Sequence, residues 1–119
     1  MKTLSPKDPA YRPNYVNSND SGDKSVARGW NYHNGPEWVW PLGYFLLARL
    51  RFQKLKNSAD LKAYLLNFLK PHAEHIQTSP WMGLPELTNQ HAAHCPDSCT
   101  TQAWSVATLI MALDEILKI

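Results

Sequence analysis

Residues 31–46 read NYHNGPEWVWPLGYFL, an aromatic, hydrogen-bonding loop that runs straight into a helical pattern at Pro41. From there Leu42, Phe45, Leu46, Leu50 and Phe52 recur at helical spacing, and basic residues collect toward Lys56. Pro41 suits the first helical position, where its missing N–H would have no partner in any case. The spacing predicts a helix over residues 41–56. The preceding run, residues 31–41, holds two tryptophans, a tyrosine, a histidine, amide groups and a carboxylate. Sugars present apolar ring faces that stack on Trp and Tyr, together with hydroxyls that need donors and acceptors at fixed angles, so the run suits a carbohydrate pocket. It also fits a loop whose aromatic rings pack onto a core.

Further along the chain, Ser58 is a candidate N-cap for a second helix over residues 58–75, with Leu61, Tyr64, Leu65, Phe68, Leu69 and Ile76 on one face. Pro71 is expected to kink that helix or split it near Leu69. A third helix is expected over residues 100–117, capped by Ser98 or Thr100, with Trp104, Ala107, Met111 and Ile116 in register. In the other direction, Pro6, Pro9, Pro13 and the polar run 17–23 give turn chemistry without periodicity, so the first thirty residues read as a long extended loop. No segment shows strand alternation, and the fold class is all-α. Function normally sits in loops held by a scaffold, which points to residues 31–41 and 79–102.

Composition narrows the class. Hydrophobic residues make up 44% and charged residues 18% of the 119, an ordinary globular balance. The net charge of +2 is small and the basic residues are scattered, so no nucleic-acid stripe and no polybasic membrane patch is indicated. No apolar run approaches the roughly 20 residues of a membrane helix, and the start lacks the apolar stretch of a signal peptide. A soluble, intracellular protein is expected. Cys95 and Cys99 are close enough in sequence that a disulfide would close only a short loop, and reduced thiols fit better. His91, His94, Cys95 and Cys99 could supply a tetrahedral zinc set, but the paired-cysteine knuckle is missing and Pro96 stiffens the loop, so no metal is assigned.

In SPWMGLPELTN, residues 79–89, Glu86 follows a proline and lies between Leu84 and Leu87. Burial raises a carboxyl pKa and hydrogen bonds to the charged form lower it, so such a glutamate can serve as acid or base according to its neighbours. A turn glutamate facing water is the other reading.

Taken jointly, MKTLSPKDPAYRP (1–13), NYHNGPEWVWPLGYFL (31–46), SPWMGLPELTN (79–89) and CPDSCTTQAWSVATLIMAL (95–113) resemble the C-terminal end of the eukaryotic glycogen debranching enzyme family. The pieces share the family's order and spacing and cover essentially the whole chain. The resemblance implies a large cytosolic enzyme with a 4-α-glucanotransferase toward its N-terminal side and an amylo-α-1,6-glucosidase in its C-terminal domain. It implies an (α/α)6 barrel, the six-hairpin glycosidase toroid, of which this chain is a C-terminal fragment. Residues 1–40 would be an extended loop region carrying the sugar-site motif, and residues 41–119 the last barrel helices and an active-site loop.

By the same resemblance, Glu86 matches the catalytic base of an inverting hydrolysis. The general acid is an aspartate far upstream of the region equivalent to Met1, so none of the six aspartates here takes that role. Tyr32, His33, Asn34, Trp38 and Trp40 fall in the sugar-binding loop, with Trp81 as a second platform. Gln102 and Trp104 open the last helix and support the site, Trp104 being equally assignable to the core. Glu37 is expected to hydrogen-bond substrate or orient a loop. No cofactor is implied. The partners are glycogen or limit dextrin and the remainder of the enzyme chain, with no nucleic acid and no membrane, and the chain alone is expected to be inactive. A stand-alone carbohydrate-binding helical module is the alternative.

Overall fold

Pro41 opens the first helix, α1 (Pro41–Phe52), in a computed structural model that describes residues 1–53 and 58–119. Gln53 leaves the helix in an extended conformation, its N–H donating to Arg49 O at 2.8 Å, and the expected continuation to Lys56 lies outside the described residues. Leu42, Gly43 and Leu46 are buried, Phe45 and Leu50 are half-buried, and Phe52 is exposed.

The second helix, α2 (Ser58–Thr78), buries Leu61 and Leu65 and half-buries Tyr64, Phe68, Leu69 and Ile76, the face read from the sequence. It runs through Pro71 without the expected split and ends three residues beyond His75. The reason lies in where the proline falls. Pro71 and Asn67, the residue whose carbonyl loses its partner, are both exposed, so water can take that carbonyl while the opposite face stays packed. Arg49 of α1 donates to Tyr64 Oη at 2.7 Å and lies over the Phe45 and Tyr64 rings, which ties the two helices together.

In α3 (Ala103–Leu117) the structure corrects the expected register. Ser105, Thr108, Leu109, Ala112 and Ile116 are buried, whereas Trp104, Ala107 and Met111 are exposed, so Ile116 alone of the expected stripe faces inward. Small residues line the inner face because α1 and α3 approach at backbone distance. A Cβ on Gly43 would stand 2.3 Å from Thr108 O, and Ser105 and Ala112 lie one turn to either side of Thr108. A bulky side chain facing α1 would hold the helices apart. The cap differs too. Gln102 is the N-cap, without a side-chain bond, and Ser98 Oγ accepts from Leu87 N–H at 3.2 Å instead.

The all-α expectation also needs amending, because a small sheet accompanies the helices. β1 (Glu37–Trp38) pairs antiparallel with β2 (Leu87–Thr88), Glu37 opposite Thr88 and Trp38 opposite Leu87. Strands of two residues are too short to show alternation, so their pairing is set by tertiary context. On the other edge of β1, Lys2 bridges to Glu37 and Trp38 N–H donates to Met1 O at 2.8 Å.

The chain divides into two compact units. One comprises Met1–Val39 and Pro85–Thr100, and the other Trp40–Leu84 and Thr101–Ile119. All three helices belong to the second. The first is built from loops around the sheet, and its opening thirty residues, irregular as read, are tied down by side chains and backbone. Asn31, fully buried, donates through Nδ2 to Arg12 O at 3.1 Å and Asn14 O at 2.7 Å, and Arg12 N–H donates to Asn34 O at 2.7 Å. Thr3 Oγ1 accepts from Gly35 N–H at 2.8 Å and donates to Pro36 O at 3.2 Å. Among the described residues no helix is long and apolar enough to cross a membrane.

Candidate active site

Glu86 is held by its backbone on both sides. Its N–H donates to Cys99 O at 2.9 Å and its carbonyl accepts from Val39 N–H at 3.1 Å, and β2 begins at the fully buried Leu87 immediately after it. With Leu84 buried as well, the residues on either side of Pro85 and Glu86 are anchors and the glutamate between them is half-buried. Its carboxylate accepts a hydrogen bond from the Tyr32 hydroxyl, delivered by the aromatic loop that β1 places alongside.

Tyr32 is half-buried and packs against three rings. Tyr15 lies at 5.2 Å between centroids, His33 at 4.9 Å and Trp38 at 4.7 Å. Its backbone is tied on both sides: the N–H donates to Gly29 O at 3.0 Å, and the carbonyl accepts from Trp38 Nε1 at 3.1 Å. Burial, then the hydrogen bond to Glu86 and its negative charge, push the Tyr32 phenol well above the ordinary tyrosine range. Tyr15 is raised as well, chiefly by burial and further by Cys95, Glu86 and Asp97. A phenol whose ionisation is raised on folding keeps its proton longer in the folded chain. Its stabilising contribution is complete below the unfolded value near 10 and is lost as pH climbs through the folded one. Denaturant titrations followed by tryptophan fluorescence are therefore expected to show stability falling as pH rises above about 10. Tyr32→Phe should flatten that fall, and an undiminished fall would remove Tyr32 as its source.

Trp38 is only 6% exposed, and its ring packs at 5.3 Å and 16° against His33, which is exposed. Asn34 is half-buried and its backbone is used on both sides, the N–H donating to Asn31 O at 2.8 Å. Glu37 is half-buried on β1. Its carboxylate accepts from the N–H groups of His91 at 3.3 Å and Ala92 at 3.2 Å, two successive residues with φ of 61° and 58°. Left-handed backbone is unfavourable for residues with a Cβ, and these bonds offset part of that cost. Cys95 is buried, its thiol donating to Tyr15 O at 3.5 Å and raised by that burial, and Cys99 is exposed. Among the described residues no three His, Cys, Asp or Glu side chains gather to hold a metal ion.

The remaining sequence candidates stand in the second unit. Trp40 stacks on Trp104 at 5.3 Å and 28° and meets Tyr44 edge-on at 5.8 Å, while Trp104 and Tyr44 are exposed. Trp81 is exposed at the end of the loop after α2, its N–H donating to Ser79 Oγ at 3.2 Å. Gln102 is half-buried at the mouth of α3, where its N–H donates to Leu84 O at 2.8 Å. The structure thus gathers Tyr32, His33, Asn34, Glu37 and Trp38 with Glu86 in the first unit and sets Trp40, Trp81 and Gln102 in the second.

Sequence reading missed Tyr15 and Asn31 as parts of this arrangement. Tyr15 stands among prolines with no periodicity to mark it, and its packing against Gly29, where a Cβ would come within 2.6 Å of the ring, is visible only in three dimensions. Asn31 heads the quoted run, yet nothing local separates an asparagine that clamps two carbonyls from one that faces water.

Comparison with known proteins bears on the same residues. The family described as Amylo-alpha-1,6-glucosidase matches residues 1–111. The glycogen debranching enzyme of Saccharomyces cerevisiae is 46% identical over 121 aligned positions, which cover 92% of this chain and 8% of that relative. The chain therefore spans a small part of the length of the curated relative it matches.

Proposed function

We propose, from the premise that this chain belongs to the amylo-α-1,6-glucosidase family, that it supplies the base and part of the glucose subsite for hydrolysis of α-1,6 branch linkages in glycogen. Glu86 takes a proton from water, and the oxygen attacks the anomeric carbon of the branch glucose from the face opposite the glycosidic bond. That bond breaks toward the glucan oxygen, which is protonated by a general acid, an aspartate belonging to sequence outside this chain. Free glucose leaves with its configuration inverted. Such a pair of carboxyl groups stands about 6.5–9.5 Å apart, leaving room for the water.

The observation that carries this reading is the pairing of β1 with β2, which sets an aromatic, amide-rich loop beside a held carboxylate. His33 offers the exposed ring of that loop and Asn34 a nearby amide, while the buried Trp38 stacks against His33. Trp40, Trp81 and Gln102 are glucan contacts of the second unit. Residues 1–40 form the loop region with the sugar motif, and residues 41–119 contribute the last helices of an (α/α)6 barrel together with the Glu86 loop. The complete polypeptide is a cytoplasmic glycogen debranching enzyme that also carries a 4-α-glucanotransferase, and its partner is glycogen or limit dextrin.

One carboxylate of two cannot catalyse. The isolated chain is expected to release no glucose from limit dextrin above a buffer control, and the full-length polypeptide to release it steadily. Robust turnover by the isolated chain would overturn the assignment of the acid to sequence outside it.

A further inference from the structure

We infer that Tyr32 is the positioning residue for Glu86, its hydroxyl fixing the carboxylate that activates water, and that the sugar is held by other groups. This rests on the reading of Glu86 as the base. A residue that binds sugar by stacking needs an open ring face, and one that binds hydroxyls needs a free polar end. Tyr32 has its ring among Tyr15, His33 and Trp38 and its hydroxyl committed to Glu86.

The surroundings make that commitment rigid. Tyr15 packs against Gly29, where a Cβ would be 2.8 Å from its hydroxyl, and its own N–H donates to Asn89 Oδ1 at 2.9 Å, three residues beyond Glu86. Trp38, which meets the Tyr32 ring edge-on, is paired in register with Leu87, the residue after Glu86. The block of rings and the carboxylate are thus referenced to one another through side chain and backbone alike. Burial and the adjoining negative charge favour the protonated phenol, so the donor is present at neutral pH.

Inverting attack needs the base and its water at a fixed place relative to the anomeric carbon, and a displacement of about 1 Å can cost about 10²-fold in rate. A hydrogen bond to a charged partner is of the size needed to hold a side chain there. The expected signature is a loss in turnover without a loss in binding.

In the full-length polypeptide, with limit dextrin as substrate, Tyr32→Phe keeps the three ring contacts and removes only the hydroxyl. It is expected to lower kcat for glucose release by about 10- to 100-fold and to leave KM within about two-fold. In a Glu86→Gln background, where residual glucose release is followed over hours, adding Tyr32→Phe should change the rate by less than about two-fold, because the hydroxyl acts only through the carboxylate. A rise in KM at unchanged kcat would overturn the inference in favour of a direct sugar contact. Losses that multiply independently in the double variant would overturn it in favour of a merely structural role. If Glu86→Gln leaves glucose release intact, the reading of Glu86 fails. If Glu86→Gln stops it and Tyr32→Phe does not, this inference fails alone.

Discussion

Glu86→Gln in the full-length polypeptide is expected to lower glucose release from limit dextrin by about 10²- to 10⁴-fold, the contribution of a positioned general base. The substitution is nearly isosteric, and its amide oxygen can still accept from the Tyr32 hydroxyl, so the loop keeps its place. Its backbone anchors to Val39 and Cys99 do not depend on the side chain at all. What disappears is the capacity to take a proton from water. Glucan transfer, assigned to a different region of the polypeptide, should continue, and measuring both products from one preparation separates lost chemistry from lost folding. Glu37 is the informative comparison. It is the carboxylate of β1, and its oxygens accept from the His91 and Ala92 amides. Unchanged glucose release in Glu86→Gln would remove that residue from the mechanism.

The sequence made the helices legible where local chemistry decides them and obscured them where another element does. Pro41 announced the start of α1, and the α2 face from Leu61 to Ile76 followed from spacing alone. The phase of α3 did not, because its inner face is set by how closely Gly43 lets Thr108 approach, and hydrophobic periodicity favours tryptophan over serine for such a place. Ser98 reads as a helix cap and serves instead to hold Leu87, next to Glu86. The paired strands left no signal, being two residues each. At the site, the motifs marked the aromatic loop and the PEL glutamate, but the assignment of Glu86 as base came from family resemblance. The bond from Tyr32 to Glu86 spans 54 positions in the chain, and no local pattern encodes it.

Gly35→Ala is expected to be the most damaging single methyl group in the first unit. A Cβ there would stand 2.2 Å from Arg12 O, 2.5 Å from Arg12 C and 2.9 Å from Pro13 N, all backbone atoms that cannot rotate away as a side chain end could. Relief requires separating residues 12–13 from residue 35, which breaks the Arg12 N–H bond to Asn34 O and loosens the Asn31 clamp on Arg12. Overpacking of this kind costs about 3 kcal/mol at its upper end. The damage should not stop at stability, since Asn31 and Asn34 flank Tyr32, and Tyr32 reaches Glu86. Glucose release is expected to fall by up to about 10²-fold, as for other misplacements of about 1 Å remote from the chemistry. Gly22→Ala is the control, because a Cβ at that position meets nothing within 4 Å. Thermal melts and glucose release measured on both variants of the full-length polypeptide check this: equal behaviour of the two would show that the approach of Gly35 to Arg12 does not position the loop that carries Tyr32.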